Sequence, residues 1–139
     1  MVVATGHIHI KSRGETDIID LTEDVEKVVT ESGLTSGIAV IFVPGATGAI
    51  TTMEYEPGLI RDLPAALERI IPRIISYEHE KRWHDGNGHS HVRASLLGPS
   101  LTVPFQNGQL ILGAWQQIVF IELDTHARTR DLVVQILGE

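Results

Sequence analysis

Stretches of alternating or continuous apolar residues, separated by glycine and proline, divide the chain into candidate strands and helices. Val2–Lys11 alternates in part, with His7 and His9 on one face, which predicts an opening strand. Residues 37–43 are rich in β-branched side chains and end at a Pro-Gly turn signal. Residues 49–53 resume as a strand, so the pattern predicts two strands around this turn.

Two segments have helical spacing instead. Asp20 is placed to cap a first helix that has Glu23 in the capping-box position, and Gly33 suits its end. Pro57 fits the first turn of a second helix, in which Pro64 predicts a break or a kink. The apolar positions behind these two predictions are Val25, Val28, Val29, Leu59, Ile60, Leu63, Leu67, Ile70 and Ile71.

The second half of the chain has β character. Residues 100–105 and 109–112 flank an Asn-Gly pair, which is the strongest short signal for a hairpin. Residues 115–123 and 131–137 are two further apolar strands. Together the patterns predict one α+β domain over residues 1–139, with two main helices first and an antiparallel meander afterwards.

Composition and charge exclude several classes of function. The chain has no cysteine, so any metal must be bound by nitrogen and oxygen. The formal net charge of −7 argues against a nucleic-acid partner. No apolar run is long enough to span a bilayer and the start lacks a secretory pattern, so we expect no membrane partner and a cytoplasmic location.

The strongest hint of chemistry is a histidine-rich segment, residues 77–91, which we predict to be mostly loop. It holds four of the seven histidines beside several acidic residues: His79, His84, His89 and His91. If the last two lie on a strand, their side chains point to one face and both can reach one metal ion. A third imidazole, from His79 or His84, would complete a site with an open position. The alternative is that these histidines bond loop backbone or line a subunit interface.

Two long runs, residues 89–104 and 107–118, carry a family resemblance together with Glu122 and Arg130. They contain Leu-Gly-Pro-Ser and Gly-Ala-Trp-Gln. Residues 44–50, 54–62 and 77–79 extend the match over nearly the whole chain. The sequence resembles the YjbQ family, the UPF0047 group, which is also labelled secondary thiamine-phosphate synthase.

The resemblance implies a fold of two packed, largely antiparallel sheets, a homotrimer, and synthesis of thiamine phosphate from a pyrimidine pyrophosphate and a thiazole phosphate. It ranks His79 and His91 above His84. It also places Gly45 where many members carry a histidine, so an imidazole is missing there or has moved within the site.

Further site residues are predicted from the same comparison. Thr47, in a loop of small residues, and Arg130 are candidates to contact a phosphate group. The alternatives are that the loop is only a tight turn between strands and that Arg130 pairs with acidic residues of a neighbouring subunit. Glu54 and Glu122 are candidates to transfer protons. Gln116 matches a family position and is a candidate for substrate binding, whereas the neighbouring Trp115 is better explained by core or interface packing.

The leading hypothesis is a trimeric, metal-dependent enzyme that acts on a small phosphorylated metabolite. In it, His79, His89 and His91 hold a divalent ion, zinc by ligand type, or magnesium if pyrophosphate is the leaving group. The rival hypothesis is a trimer that binds a metal or a small ligand without catalysing a reaction.

Overall fold

The computed structural model describes all 139 residues, which form two β-sheets and four helices. The strands are β1 Val2–Lys11, β2 Asp17–Asp20, β3 Ser36–Phe42, β4 Gly48–Met53, β5 Ser100–Gln106, β6 Gln109–Leu110, β7 Gln117–Glu122 and β8 Thr129–Gly138. The helices are α1 Thr22–Ser32, α2 Pro57–Ile70, α3 Glu78–Trp83 and α4 Gly88–Leu97.

Every pair of neighbouring strands is antiparallel. The large sheet has the order β1-β8-β3-β5-β6, and the small sheet has the order β2-β7-β4. One face of the large sheet packs against α1 and one face of the small sheet, and this forms the main core. The predicted α+β class with two packed sheets is therefore confirmed.

The small sheet is buried on both faces. Its second face packs against α2 and α4, where Leu67 and Ala94 contact Val119 and Ile121 of β7 in a second core. A strand with no solvent face needs apolar side chains at successive positions, which explains the continuous apolar run in β7. The run ends at Glu122, the last residue of β7, so the central strand of the small sheet places a carboxylate in the interior.

Two local predictions are confirmed by backbone geometry. The β5–β6 hairpin turns at Asn107 and Gly108, whose φ angles of 54° and 72° match the type I′ turn that Asn-Gly favours. Helix α1 ends at Gly33, which has φ 71° and donates to the carbonyl of Thr30.

The predicted meander is wrong. β7 belongs to the small sheet, whereas β8 crosses back to the large sheet and lies between β1 and β3. An apolar pattern marks a strand and its buried face, but it does not specify the partner strand. Of the predicted break or kink at Pro64, the break is absent, because α2 runs through it from Pro57 to Ile70.

The histidine-rich segment forms α3 and α4, rather than a loop followed by a strand. The buried side of α4 includes His89, Ser90 and Arg93 beside small residues. Because these buried positions are polar, no helical stripe of apolar residues is visible in the sequence. None of the four helices is long and apolar enough to cross a membrane.

Candidate functional site

A polar pocket of about 600 Å³ opens where the β3–β4 loop, the start of β8 and the start of α4 meet. Its walls include charged side chains of both signs and a single imidazole. The residues that matter for its chemistry are Gly45, Thr47, His91, Asp124, Arg128 and Arg130. We call this the polar pocket.

The Arg130 guanidinium is held by two hydrogen bonds to the buried carboxylate of Glu122. Arg130 Nε donates to Glu122 Oε1 over 3.0 Å, and Nη2 donates to Oε2 of the same carboxylate. Glu122 is fully buried and also accepts from Ser12 Oγ over 2.6 Å. A buried carboxylate held this way is suited to positioning Arg130, and this geometry does not favour the predicted proton transfer by Glu122.

Gly45, which has no side chain, leaves room for the other edge of the Arg130 guanidinium. A Cβ atom at this position would lie 2.9 Å from Arg130 Nη1, and the backbone φ of 150° is one that side-chain-bearing residues rarely adopt. The guanidinium therefore lies close against the β3–β4 loop. Nη1 makes no hydrogen bond within the chain that would remove it from a ligand.

Asp124 forms the second charged centre of the polar pocket. Its carboxylate accepts from Thr47 Oγ1 over 3.0 Å, from Arg128 Nε over 2.7 Å and from the backbone N–H of Thr125 over 2.8 Å. Burial opposes its ionisation, but these hydrogen bonds and the charge of Arg128 outweigh burial and lower the pKa of Asp124 to about 2. Asp124 is therefore an anion that holds Arg128 and Thr47 in place.

His91 is brought beside His79, and the centroids of the two rings are 4.3 Å apart. Burial lowers the pKa of His91 below 6.5, and the neighbouring His79 lowers it further. His79 Nε2 lies 3.2 Å from Asp85 Oδ1 and 3.0 Å from the side-chain amide of Asn87. His91 is consequently an uncharged imidazole at neutral pH, able to accept a proton.

His89 does not face the polar pocket. It is buried, and its Nε2 lies 2.8 Å from Glu15 Oε2, which also interacts with Arg73. The expectation that His89 and His91 lie on a strand is wrong, because residues two apart on a helix are separated by about 200°. The two rings therefore point in different directions, and His89 ties α4 to the β1–β2 loop.

The structure does not bring the three predicted metal ligands together. No group of three or more histidine, aspartate or glutamate side chains has the arrangement of a metal site. His79 and His91 are adjacent, and Asp85 contacts the first of them.

Two predicted residues lie far from the polar pocket. Glu54 follows β4 and Gln116 precedes β7, whereas Thr47 and Glu122 lie at the opposite ends of these strands. At about 3.3 Å per residue the separation is roughly 20 Å. Gln116 instead donates to Thr52 Oγ1, and Trp115 is 75% exposed, so it is not part of the core.

Asp124 was not predicted as a site residue from the sequence. A signal was present, since Glu122 and Asp124 are acidic residues two apart at the end of a buried strand, followed by Arg128 and Arg130. Two carboxylates at such a position need cationic partners. The alternating acidic and basic residues around this turn are the local evidence for the network beneath the polar pocket.

Comparison with known proteins gives a consistent result. Residues 6–139 match the family model described as UPF0047 protein YjbQ-like. A UPF0047 protein of Methanothermobacter thermautotrophicus is 39% identical over 139 residues, which are 100% of this chain and 95% of that protein. The UPF0047 protein YugU of Bacillus subtilis is 37% identical over 94% of this chain and 97% of its own length.

Solved structures agree with the sequence matches. A YbjQ-like protein of unknown function from Sulfolobus solfataricus superposes with a TM-score of 0.94 at 34% identity, covering 99% of both chains. A YjbQ/UPF0047 family protein from Clostridium acetobutylicum has a TM-score of 0.87 at 37% identity, covering 95% of this chain and 99% of that one.

Proposed function

This chain belongs to the YjbQ-like UPF0047 family, and for this member we propose that the polar pocket binds the phosphate group of a small metabolite, with His91 as the proton acceptor. The observation that carries the proposal is the arrangement of Arg130. One edge of its guanidinium is held by Glu122 and Thr47, while Nη1 is left beside the β3–β4 loop. A guanidinium fixed before the ligand arrives is suited to binding phosphate oxygens.

Asp124, the buried aspartate of the polar pocket, is already paired and does not oppose an anionic ligand. Asp124 is neutralised by Arg128 and by its hydrogen bonds from Thr47 and Thr125. Arg128 uses only Nε in that contact, so its terminal nitrogens are free to reach a ligand. The polar pocket therefore offers two guanidinium groups, each of which is already paired with a buried carboxylate.

The uncharged state of His91 supports a catalytic role over simple binding. An imidazole with a lowered pKa is a base near neutral pH, and it lies in the same pocket as Arg128 and Arg130. Activation of a hydroxyl or amine on the phosphorylated metabolite is the step that this placement supports. The non-catalytic alternative is a protein that binds the same metabolite and does not change it.

Thiamine-phosphate synthesis is the specific reaction that the family resemblance implies. Its pyrophosphate leaving group would ordinarily be neutralised by magnesium, which prefers oxygen ligands and an octahedral shell. The imidazoles of His79 and His91 suit zinc better. We therefore rank the general phosphate-binding function ahead of this reaction, which remains one to assay.

A zinc-binding function is the second candidate, favoured by the 4.3 Å separation of the His79 and His91 rings. Two imidazoles would hold the ion, and solvent or ligand would complete its coordination. The ion would supply a Lewis acid beside the phosphate. Zinc titration of the untagged protein, followed calorimetrically, tests this, with His79→Ala and His91→Ala each expected to abolish binding.

We propose that the protein forms a homotrimer through the outer face of the large sheet. An antiparallel sheet that faces water normally has polar side chains there. Here Ile38 and Phe42 are 38% and 40% exposed on this face, which indicates a contact with another chain. The half-buried Val133 lies on the same face and lines the polar pocket, so such an interface would border the site. A cytoplasmic location stays a prediction from the sequence.

Binding of phosphate monoesters tests the proposed function. Isothermal titration of the wild-type protein and of Arg128→Gln should give an affinity about tenfold lower for the variant, since one charge-assisted contact is lost. Arg69→Gln, an exposed arginine near the end of α2, is the matched control and should bind as the wild type does. Absence of binding to the wild-type protein would contradict the proposal.

A further inference from the structure

Ser12, the first residue after β1, is buried between the Glu122 carboxylate and the backbone of Arg128. Its hydroxyl donates to Glu122 Oε1 over 2.6 Å, and this same oxygen accepts from Arg130 Nε over 3.0 Å. On the other side, the backbone N–H of Arg128 donates to Ser12 Oγ over 3.1 Å. One hydroxyl therefore contacts both the carboxylate that holds Arg130 and the backbone that carries Arg128.

The hydrogen of the Ser12 hydroxyl has two acceptors within reach. Besides Glu122, the carbonyl oxygen of Arg128 lies 3.3 Å from Oγ. A hydroxyl has a single hydrogen to donate, and a hydrogen bond to a carboxylate is shorter and stronger than one to a carbonyl. The hydrogen therefore points to Glu122, which leaves the lone pairs of Oγ to accept from the Arg128 N–H. In this orientation the hydroxyl satisfies both neighbours.

Ser12 makes one of the four hydrogen bonds that fix the Glu122 carboxylate. Oε1 accepts from Ser12 and Arg130, whereas Oε2 accepts from Arg130 and from the backbone N–H of Asp124 over 3.2 Å. The two bonds to Arg130 move with its guanidinium, so they cannot hold the carboxylate in place. Without the Ser12 hydroxyl, Oε1 would have no partner other than Arg130, and the ion pair could shift as a unit.

The loop that follows Ser12 is anchored at two further points. The backbone N–H of Arg13 donates to Asp17 Oδ2 over 3.0 Å. Glu15 Oε2 lies 2.8 Å from His89 Nε2, which belongs to α4. Ser12 is therefore held between β1 and an anchored loop, so its hydroxyl is in position before a ligand enters.

From these contacts we infer that Ser12 is a positioning residue for the polar pocket: its hydroxyl places Arg130 through Glu122, and it places Arg128 through the backbone. Ser12 does not line the polar pocket, so it acts only through the two arginines. The inference rests on the proposed function for the identity of the ligand. The placement of the two guanidinium groups, however, can be observed in the ligand-free protein.

The test compares three substitutions of Ser12. Ser12→Ala removes the hydroxyl, Ser12→Cys replaces it with a weak donor, and Ser12→Thr keeps it. Ile8→Val is the matched control, because Ile8 lies in the core on β1 and its truncation lowers stability away from the polar pocket. The measurements are the side-chain Nε–H resonances of Arg128 and Arg130 without ligand, the affinity for inorganic phosphate by calorimetry, and the melting temperature.

Ser12→Ala should shift both arginine resonances in the ligand-free protein and lower the phosphate affinity about tenfold, since charge-assisted contacts become misaligned. Ser12→Cys should act in the same direction, and it carries the comparison if Ser12→Ala does not fold. Ser12→Thr should retain the resonances and the affinity of the wild type. Ile8→Val should melt at a lower temperature and leave both quantities unchanged.

The outcomes separate this inference from the function on which it rests. If Ser12→Ala and Ser12→Cys lower only the melting temperature, as Ile8→Val does, Ser12 has a structural role alone and the inference is overturned. A Ser12→Thr protein that loses as much affinity as Ser12→Ala would overturn it as well. If the wild-type protein binds no phosphate while the resonances shift as described, the positioning by Ser12 is supported and the proposed function is wrong.

Discussion

Arg130 Nη2 donates to Thr47 Oγ1 over 2.9 Å, and this hydrogen bond joins the large sheet to the loop that leads into the small sheet. Thr47 Oγ1 in turn donates a hydrogen bond to Asp124 Oδ2 over 3.0 Å. A guanidinium, a hydroxyl and a carboxylate from three separate segments thereby form one chain of hydrogen bonds at the base of the polar pocket. Such a network orients the site before a ligand enters.

Removal of the charge beneath Arg130 should destabilise the fold. Glu122→Gln leaves a buried guanidinium without its counterion, so the free energy of unfolding should fall by about 3–5 kcal/mol. Urea denaturation of the two proteins measures this. Lys27→Ala, which removes an exposed helix pair with Glu31, should leave the free energy of unfolding nearly unchanged. A loss for Glu122→Gln below about 1 kcal/mol, typical of exposed pairs, would contradict the account.

Asp124 should make stability depend on acid pH. Its pKa of about 2 lies below the ordinary value of 3.8, so its contribution of about 2 kcal/mol is present above about pH 4 and is lost as the pH falls through 2. The difference in unfolding free energy between the wild type and Asp124→Asn should therefore narrow over this interval. Curves that stay parallel from neutral pH to pH 2 would show that Asp124 is not held as an anion.

The ring of His91 should titrate below pH 6.5. Because the charge of His79 opposes protonation of its neighbour, His79→Phe should raise the pKa of His91, whereas Asp85→Asn should lower it further. Ring-proton NMR over a pH series follows both changes. A His91 that titrates at its ordinary value in all three proteins would remove the basis for its role as a base.

The two histidines of α4 should have different roles, His89 in stability and His91 in ligand binding. His89→Leu should cost about 1–3 kcal/mol in unfolding free energy, since Glu15 loses a buried hydrogen-bond partner, and phosphate affinity should be unchanged. His91→Gln should leave stability nearly unchanged and weaken ligand binding. Thermal melts and calorimetric titrations of both variants measure these effects. If His89→Leu alone impaired binding, our assignment of the two histidines would be reversed.

Substitution on the outer face of the large sheet should alter assembly. Light scattering should show a trimer for the wild type and smaller species for Phe42→Asp, because a carboxylate would be buried in an apolar contact. Phe42→Leu should remain trimeric. A wild-type protein that is monomeric at micromolar concentration would mean that this apolar face has another explanation.

The elements that the sequence predicted well are those decided locally. The hairpin at Asn107 depends on two residues that tolerate positive φ, and the end of α1 depends on Gly33. Helix α4 was missed because His89 and Arg93 occupy its buried side, where their partners Glu15 and Glu68 come from distant segments. A polar side chain is stable there only through contacts that the sequence pattern does not contain.

The site was predictable only in part for the same reason. Thr47 and Arg130 were chosen from the family resemblance, and they do contact each other in the polar pocket. The expected pairing of His89 with His91 depended on a strand, so the change to a helix separated them. Glu54 was chosen because it matches a family position at the entry to the second helix, and the length of β4 puts it at the far end of the small sheet.

Arginine side-chain NMR during a titration with inorganic phosphate tests the central claim most directly. The account predicts that the guanidinium resonances of Arg128 and Arg130 shift together, with one dissociation constant that the His91 ring signals also report. The resonances of exposed arginines such as Arg61 and Arg69 should stay in place. Shifts confined to those exposed residues, or none at Arg130 while phosphate binds elsewhere, would contradict a phosphate site in the polar pocket.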